Sequence, residues 1–261
     1  MSKKMLTVIF ALAVIAISAW YTDVVQAKIV TDGLISYWTF DDADVQGDTI
    51  KDVWGNNNGQ AAKNDRTEGK IGQGMEFNGA SDNVDCGNDP SLDLTDALTI
   101  ELWMMPTTVG EGGPNAGPIC KAEAGVDPWS WQLRYNAPGS FMGFQFNASP
   151  GGSTWISVQE NLEPDEWHHV TGTFDGSDAR CYLNGVEKDS VPMAGIVSGN
   201  GRVLMGEDGW GNVFVGVVDE IRFYDRALTE AEIMQNYSSM DQLAVEPADK
   251  LATSWSQIKK Y

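Results

Sequence analysis

Residues 211–233 read Gly211-Asn-Val-Phe-Val-Gly-Val-Val-Asp-Glu-Ile-Arg-Phe-Tyr-Asp-Arg-Ala-Leu-Thr-Glu-Ala-Glu-Ile233 and join a strand pattern to a helix start. The first half alternates with the period of two that is typical of a β-strand. Val217 and Ile221 share one predicted face, and Asp219 lies between them on the same apolar row. A carboxylate on a core-facing row is costly unless it is paired, hydrogen-bonded or bound to a cation. The stretch therefore predicts a strand with one inward acid that needs a partner.

The second half of this stretch predicts a short helix. Thr229 and Glu232 have the spacing of a capping box, in which Thr229 is the N-cap and Glu232 reaches back to its backbone N–H. We expect the helix to begin after Thr229 and to continue to about Asn236.

The N-terminus has the pattern of a secretory signal peptide. Lys3 and Lys4 precede an apolar run that ends at Trp20, and small residues stand close to Ala27. The alternative is an uncleaved N-terminal anchor, although the run is slightly short for a membrane span. We expect residues 1–27 to be removed, no membrane insertion of the mature chain, and a secreted, periplasmic or cell-surface location.

The charge of the chain argues against two classes of partner. The sequence has 37 Asp and Glu against 17 Lys and Arg, for a formal net charge of −20. A chain this acidic repels nucleic acid and anionic lipid, so neither is an expected partner. It would attract cations such as Ca²⁺, although most of these acids are also explained by the solubility of an exported protein.

Three cysteines are present, Cys86, Cys120 and Cys181. An exported protein can form disulfides, so one intramolecular disulfide bond is expected at most. The sequence does not indicate which pair would form it.

The remainder of the chain has the spacing of an all-β protein. About a dozen short strand patterns are separated by segments rich in Gly, Asn and Asp, and one of these, Asn184-Gly185, is typical of a type I′ hairpin turn. The run Leu98–Met105 alternates so that Leu98, Ile100, Leu102 and Met104 share a face. These patterns predict an antiparallel β-sandwich or jelly roll with one short C-terminal helix.

Six segments together resemble the laminin-G-like, concanavalin-A-like jelly-roll family of secreted bacterial proteins. They are Gly33-Leu-Ile-Ser-Tyr-Trp-Thr-Phe-Asp-Asp42, Gly72-Gln-Gly-Met-Glu-Phe-Asn-Gly79, Leu98-Thr-Ile-Glu-Leu-Trp103, Glu166-Trp-His-His-Val-Thr-Gly-Thr-Phe-Asp-Gly176, Tyr182-Leu-Asn-Gly185 and Val217-Val-Asp-Glu-Ile-Arg-Phe-Tyr-Asp-Arg-Ala-Leu228. The resemblance implies one domain over residues 28–240, made of two packed antiparallel sheets, with a tail over residues 241–261. It does not imply one function, because the fold serves lectins, adhesion modules and hydrolases.

The resemblance also implies a structural calcium. In related jelly rolls a Ca²⁺ joins the last strand to the end of the first, through an Asp side chain and backbone carbonyls. Asp219 and Asp41 occupy the corresponding positions here. Oxygen ligands of this kind suit Ca²⁺. The alternative is that Asp219 accepts backbone N–H groups or pairs with an Arg, and needs no metal.

Tryptophans are the candidate ligand-binding residues. The chain has ten, of which Trp20 lies in the predicted signal peptide. Trp38, Trp103, Trp131 and Trp167 lie at core-alternating or family-matching positions and are expected to be packing residues. Four others lie in loops or on the opposite strand parity and could form an exposed platform: Trp54, Trp129, Trp155 and Trp210.

A platform of this kind would stack indole rings on the faces of sugars. The side chains of Gln132 and Arg134, with Gln145 and Asn147, could then bind the sugar hydroxyls. The alternative is that these indole rings only close the ends of the sandwich.

An enzymatic function is not expected. Glycosidases with this fold place two or three acids on one face of a strand, to give the paired carboxylates that glycoside hydrolysis requires. Here Leu98–Met105 has only Glu101, and the acids of residues 163–166 lie in a turn that contains Pro164. We therefore predict a secreted, non-catalytic binding module for carbohydrate. The second hypothesis is a structural or adhesion domain that binds an extracellular protein and has no sugar site.

Overall fold

The computed structural model describes residues 28–79, 82–107, 116–123, 126–136, 141–148, 153–158 and 162–239. The predicted signal peptide and the tail over residues 241–261 lie outside the described residues. So do the side chains of some strand residues, that of Trp155 among them.

Within these ranges the chain forms short strands, two 3₁₀ turns (Asp42–Asp44 and Pro90–Leu92) and one helix. The elements are β1 (Leu34–Trp38), β2 (Val45–Gln46), β3 (Thr49–Ile50), β4 (Gly59–Ala61), β5 (Arg66–Glu68), β6 (Gln73–Asn78), β7 (Val84–Asp85), β8 (Leu98–Pro106), β9 (Ala116–Glu123), β10 (Val126–Asn136), β11 (Phe141–Asn147), β12 (Ser153–Val158), β13 (His168–Phe174), β14 (Asp178–Leu183), β15 (Val186–Pro192), β16 (Val203–Met205), β17 (Val215–Tyr224) and α1 (Glu230–Ser238).

The strands form two antiparallel sheets, which confirms the predicted all-β sandwich. Sheet A has the order β15-β14-β13-β8-β17-β6-β5, and β1 also pairs with β17. Sheet B has the order β12-β11-β10-β9-β16-β7-β4-β3-β2. Consecutive hairpins form the outer parts of each sheet, whereas the central pairs, such as β8 with β17 and β9 with β16, join strands that are distant in sequence.

The main core lies between the inner faces of the two sheets. Ile100, Leu102 and Met104 of β8 face it, as their alternation predicts. Trp38 and Trp131 reach it from opposite sheets and pack edge-on against Phe223, with ring centroids 5.4 and 5.5 Å from that ring. The expectation that these two tryptophans are packing residues is confirmed.

Strand β17 departs from the regular alternation. Asp219 pairs with Trp103, but Arg222 pairs with Glu101, so β17 has one extra residue against β8. The backbone of Glu220 takes up this bulge with φ +56°, which is unusual for a residue other than glycine.

The bulge corrects one sequence prediction. Val218 lies in the core before it, and Ile221 and Phe223 lie in the core after it. The prediction that Val217, Asp219 and Ile221 share one core-facing row is therefore wrong, because an added residue reverses the parity of all those that follow. Asp219 instead lies at the bulge, where its carboxylate accepts the N–H groups of Glu220 (2.8 Å) and Ile71 (3.0 Å).

A second buried layer covers the outer face of sheet A. Arg222 lies at its centre and donates to Glu101 (3.2 Å) and to Glu220, and all three side chains are buried. Tyr37 also donates to Glu220. Burial raises the pKa of Glu101, and the guanidinium of Arg222 opposes that effect. Sharing one guanidinium offsets part of the free-energy cost of removing both carboxylates from water.

Helix α1 closes this layer. The capping box is present as predicted: Thr229 accepts the N–H of Glu232, and Glu232 accepts the N–H of Thr229. Asn236 on the same helix donates to Glu101 (2.8 Å) and accepts the N–H of Val30 (2.7 Å). One side chain thus joins the helix, the buried charges and the first described residues of the chain.

The hairpin turn at Asn184-Gly185 is confirmed, because both residues have the positive φ angles of a type I′ turn, 51° and 81°. No disulfide bond is present among the described residues, although the sequence allows one. Cys86, Cys120 and Cys181 are all free and buried. Cys120 faces away from the core that holds the other two, and these two belong to segments of different sheets, so the strand geometry does not bring a pair together.

Substitution of Arg222 by Ala tests the buried cluster. It leaves Glu101 and Glu220 buried without a cation, so the free energy of unfolding should fall by about 3–5 kcal/mol. Urea unfolding followed by tryptophan fluorescence measures this loss. Arg202→Ala is the matched control, because Arg202 pairs with Asp85 at the surface and its loss should cost less than about 1 kcal/mol. Equal losses in the two variants would contradict the assigned role.

The capping box predicts a pH dependence. Hydrogen bonds from Arg226, and then from Thr229, lower the pKa of Glu232 from 4.5 to about 2. Because the pKa of Glu232 is lower in the folded state than in the unfolded state, its ionised carboxylate stabilises the folded protein above pH 4.5. This stabilisation is lost as the pH falls through about 2. Glu232→Gln should therefore show a smaller loss of melting temperature over this window. Glu230→Gln in the same helical turn is the control, and a pH profile unchanged by Glu232→Gln would refute the prediction.

Candidate functional site

The candidate site lies on the outer face of sheet B, opposite the main core. On strands β9 to β12 a row of cross-strand neighbours runs from Cys120 through Gln132 and Gln145 to Trp155. The adjacent row, which includes Leu133 and Phe144, faces the core. The period of two along each strand therefore presents these polar residues to the outer face.

Two of the predicted binding residues form a pair of aromatic rings on this face. The ring centroids of Trp129 and Trp210 are 6.3 Å apart, at an interplanar angle of 82°. Trp129 packs on Cys120, Ala122 and Leu204 and is partly buried. Trp210 stays 45% exposed. Trp129 thus supports Trp210, and together they form an aromatic platform that solvent reaches.

The loop over residues 206–212 carries Trp210 and is fixed by one buried acid. Asp208 accepts the N–H groups of Trp210 (2.9 Å) and Asn212 (3.0 Å) through Oδ1. Its Oδ2 accepts the side-chain amide of Asn212 (2.7 Å) and one guanidinium nitrogen of Arg134 (3.3 Å). Gly209 allows the loop to lie on the sheet, since a Cβ there would come within 2.6 Å of the Ala122 carbonyl.

The structure brings most of the predicted platform residues to one face. Gln132 lies on the row, and Trp129, Trp210 and Arg134 lie beside it. Trp155 also belongs to the row through its pairing with Gln145, but its side chain lies outside the described residues. Arg134 holds Asp208 and so positions the loop.

Gln132 is almost fully buried, and its amide donates to Gln145. Its Oε1 has no partner within the described part of the chain. A buried amide oxygen left without a donor marks a place where a hydroxyl group of a ligand could donate.

Sequence reasoning missed Asp208. The signal was available in Asp208-Gly-Trp-Gly211, because Asp before Gly is typical of a turn in which the carboxylate accepts the N–H two residues later. The predicted platform residue Trp54 lies elsewhere, beside the turn of Asp52, and is 42% exposed.

The second group of predicted site residues lies at the bulge of β17. Burial, with repulsion from Glu220 and Asp41, raises the pKa of Asp219 to about 9. The Asp41 carboxylate accepts the N–H of Gln73 (2.9 Å). Three acids therefore lie close enough to repel one another, and a divalent cation would relieve this repulsion.

The oxygen atoms at the bulge are of the chemical type that binds a hard cation such as Ca²⁺. Asp41 and Asp219 supply carboxylate oxygens, and these already accept backbone N–H groups. Among the described residues, no three His, Cys, Asp or Glu side chains form a metal-binding group. A calcium here would therefore need backbone carbonyls or water to complete its shell.

Comparisons with known proteins agree with the fold described above. A model of the Concanavalin A-like lectin/glucanases superfamily matches residues 78–234, more than half of the chain. The comparison with curated proteins gives no match. Within the described residues, no helix has the length and hydropathy to cross a membrane.

Three solved structures illustrate the likeness. The binding domain of Paraclostridial Mosquitocidal Protein 1 is 18% identical, with a TM-score of 0.62, over 78% of this chain and 52% of that one. Domain 4 of the extracellular arabinanase AbnA from Geobacillus stearothermophilus, in complex with arabinotriose, is 21% identical, with a TM-score of 0.57, over 78% and 98%. The Trypanosoma rangeli sialidase is 17% identical, with a TM-score of 0.59, over 82% and 34%.

The chain thus spans about half the length of the mosquitocidal binding domain and about a third of the sialidase. At these identities the likeness shows a shared fold.

Proposed function

Because the chain belongs to the Concanavalin A-like lectin/glucanases superfamily, we propose that it is a secreted, non-catalytic module that binds carbohydrate. The observation that carries the proposal is the Trp129–Trp210 platform beside the buried amides of Gln132 and Gln145. An indole ring stacks on the apolar face of a pyranose or furanose, and amide groups bind the hydroxyls at its edge. The arabinanase domain crystallised with arabinotriose supports this ligand class.

The positions of the acids support a non-catalytic function. Glu101 is buried beneath α1 on the outer face of sheet A and is held by Arg222, so it is closed to substrate. Asp208, which holds the loop that carries Trp210, is fully buried and accepts four hydrogen bonds from its own loop and Arg134. Each of these carboxylates has a positioning role that proton transfer to a sugar would disrupt.

A structural Ca²⁺ at the bulge of β17 is the second part of the proposal. Asp41 and Asp219 would hold it, and the ion would supply positive charge to three mutually repelling acids. The ion would thereby link strand β17 with the residues that come after β1. The proposal also places the mature protein outside the cytoplasm, in the secreted, periplasmic or surface-attached fraction, where Ca²⁺ is available.

Adhesion to an extracellular protein is the second candidate function. The similar fold of the mosquitocidal protein's binding domain is compatible with binding of either kind of ligand. An exposed tryptophan such as Trp210 could equally be the centre of a protein interface. The two functions differ in what the platform binds, so the same variants distinguish them.

Trp210→Ala and Trp129→Ala test the carbohydrate platform. Each should weaken binding to a soluble ligand chosen from a glycan array by about tenfold or more, equivalent to about 1.4 kcal/mol, because the stacking surface is lost. Isothermal titration calorimetry measures the change. Val186→Ala is the matched control, since Val186 is also about half exposed but lies on β15 of sheet A. Absence of binding across a broad array, with capture of one extracellular protein that Trp210→Ala abolishes, would favour the adhesion function.

Removal of metal tests the calcium. At a Ca²⁺ concentration 100 times the Kd, the ion should stabilise the protein by about 2.7 kcal/mol, so EGTA should lower the melting temperature by several degrees. Asp219→Asn should melt at the same temperature with and without EGTA. The surface variant Asp178→Asn should keep the full calcium response. Metal-free protein of unchanged melting temperature would refute the proposal.

A further inference from the structure

A polar cavity lies at the β2 edge of sheet B, away from the Trp129–Trp210 platform. It has a volume of about 570 Å³ and is formed by the β2–β3 hairpin, the 3₁₀ turn before it and the loop over residues 52–58. Gln46, Thr49, Lys51 and Asn56 contribute to its lining. The carbohydrate platform described above does not include these residues.

One wall of the cavity is held rigid by a buried carboxylate. Asp52 accepts the N–H groups of Tyr37, Trp54 and Gly55 through Oδ1, and that of Asn57 through Oδ2, at 2.9–3.1 Å. Gly55 is required there, because a Cβ would come within 2.4 Å of the Ile35 carbonyl. This wall is therefore preorganised, and a ligand would not have to order it.

The other wall is held by the turn before β2. Asp44 accepts the hydroxyl of Thr39 (2.8 Å) through its side chain and the N–H of Lys51 (2.8 Å) through its carbonyl. Val45 lines the cavity and packs against the main core, so part of the surface is apolar. A polar rim with an apolar patch suits a sugar ring, which has hydroxyls at its edge and C–H groups on its faces.

The groups that could bind a ligand are free to do so. No described residue hydrogen-bonds the side chains of Gln46, Lys51 or Asn56, whereas Asp44, Asp52 and Asn58 are used to build the walls. The free groups are two neutral amides and one cation. Asp42, Asp44 and Asp48 lie nearby in a chain of net charge −20, which disfavours an anionic ligand.

We propose that this cavity is a second carbohydrate-binding site, for a neutral saccharide, with Gln46 and Asn56 as its hydroxyl-binding residues. It does not depend on the Trp129–Trp210 platform. Thr49 and Gln132 lie on the same outer face with four strands between them, so these two residues are about 24 Å apart at the usual strand spacing. A trisaccharide is too short to occupy both, whereas a polysaccharide chain could bind both at once and gain avidity.

The test is calorimetric titration of the full chain with four neutral trisaccharides, those of α-1,5-arabinan, β-1,4-xylan, β-1,4-glucan and β-1,3-glucan. The wild-type protein should bind at least one of them at two sites per chain. The double variant Gln46→Ala/Asn56→Ala should lose one site, and Trp129→Ala/Trp210→Ala should lose the other. Gln235→Ala, an exposed amide on α1, is the control and should keep both sites. Gln46→Arg, which places a long side chain at the cavity, should repeat the loss seen in the double variant.

The outcomes separate this proposal from the platform. If the cavity variants bind like the wild-type protein, the cavity proposal is wrong even where the platform variant abolishes binding. If only the cavity variants lose binding, the platform is wrong and the cavity stands. Tighter binding of a trigalacturonate that Lys51→Ala abolishes would overturn the neutral class of ligand, and no binding of any trisaccharide would overturn both sites. Thermal melting of each variant confirms that a loss of binding is not a loss of folding.

Discussion

The burial of Arg222 between Glu101 and Glu220 is the constraint on which the rest of the structure depends. Removing three charged groups from water is costly, and this cost is offset only if every partner is in place. Glu220 reaches Arg222 from the bulge, where its backbone takes a positive φ. Glu101 also accepts from Asn236 of the terminal helix. The bulge, the central strand pair and the helix are therefore fixed together, and the bulge in turn sets where Asp219 lies.

Buried carboxylates recur in this molecule as organisers of exposed loops. Asp208 holds the loop that presents Trp210, and Asp52 holds the loop that forms one wall of the polar cavity. In both, an acid that is closed to solvent accepts several backbone N–H groups and leaves a tryptophan exposed. Loops fixed in this way lose little further entropy when a ligand binds. The high acid content of the chain is thus explained in part by loop structure, as well as by solubility.

Local features could be predicted from the sequence, and features that depend on strand pairing could not. The capping box of Thr229 and Glu232 and the turn at Asn184-Gly185 are each defined by a few neighbouring residues, and both are present. The bulge at Glu220 is different, because it is defined by the register of β17 against β8, more than a hundred residues away. Trp129 and Trp210 could each be proposed as exposed residues from strand parity and loop context. Their contact could not be predicted, because it depends on the loop that Asp208 fixes, and no sequence spacing relates this loop to Trp129.

The contact between Val30 and Asn236 brings the first and last described elements together on the outer face of sheet A. The Trp129–Trp210 platform lies on the outer face of sheet B, on the other side of the sandwich. Any segment joined to either end of the domain would therefore meet it at one place, on the face opposite the proposed platform. If the proposed platform binds a ligand, the sandwich would act as a spacer of fixed thickness that holds this face outward from an attached segment. Orientation is then a property of the fold, and a connecting segment would need neither length nor stiffness to provide it.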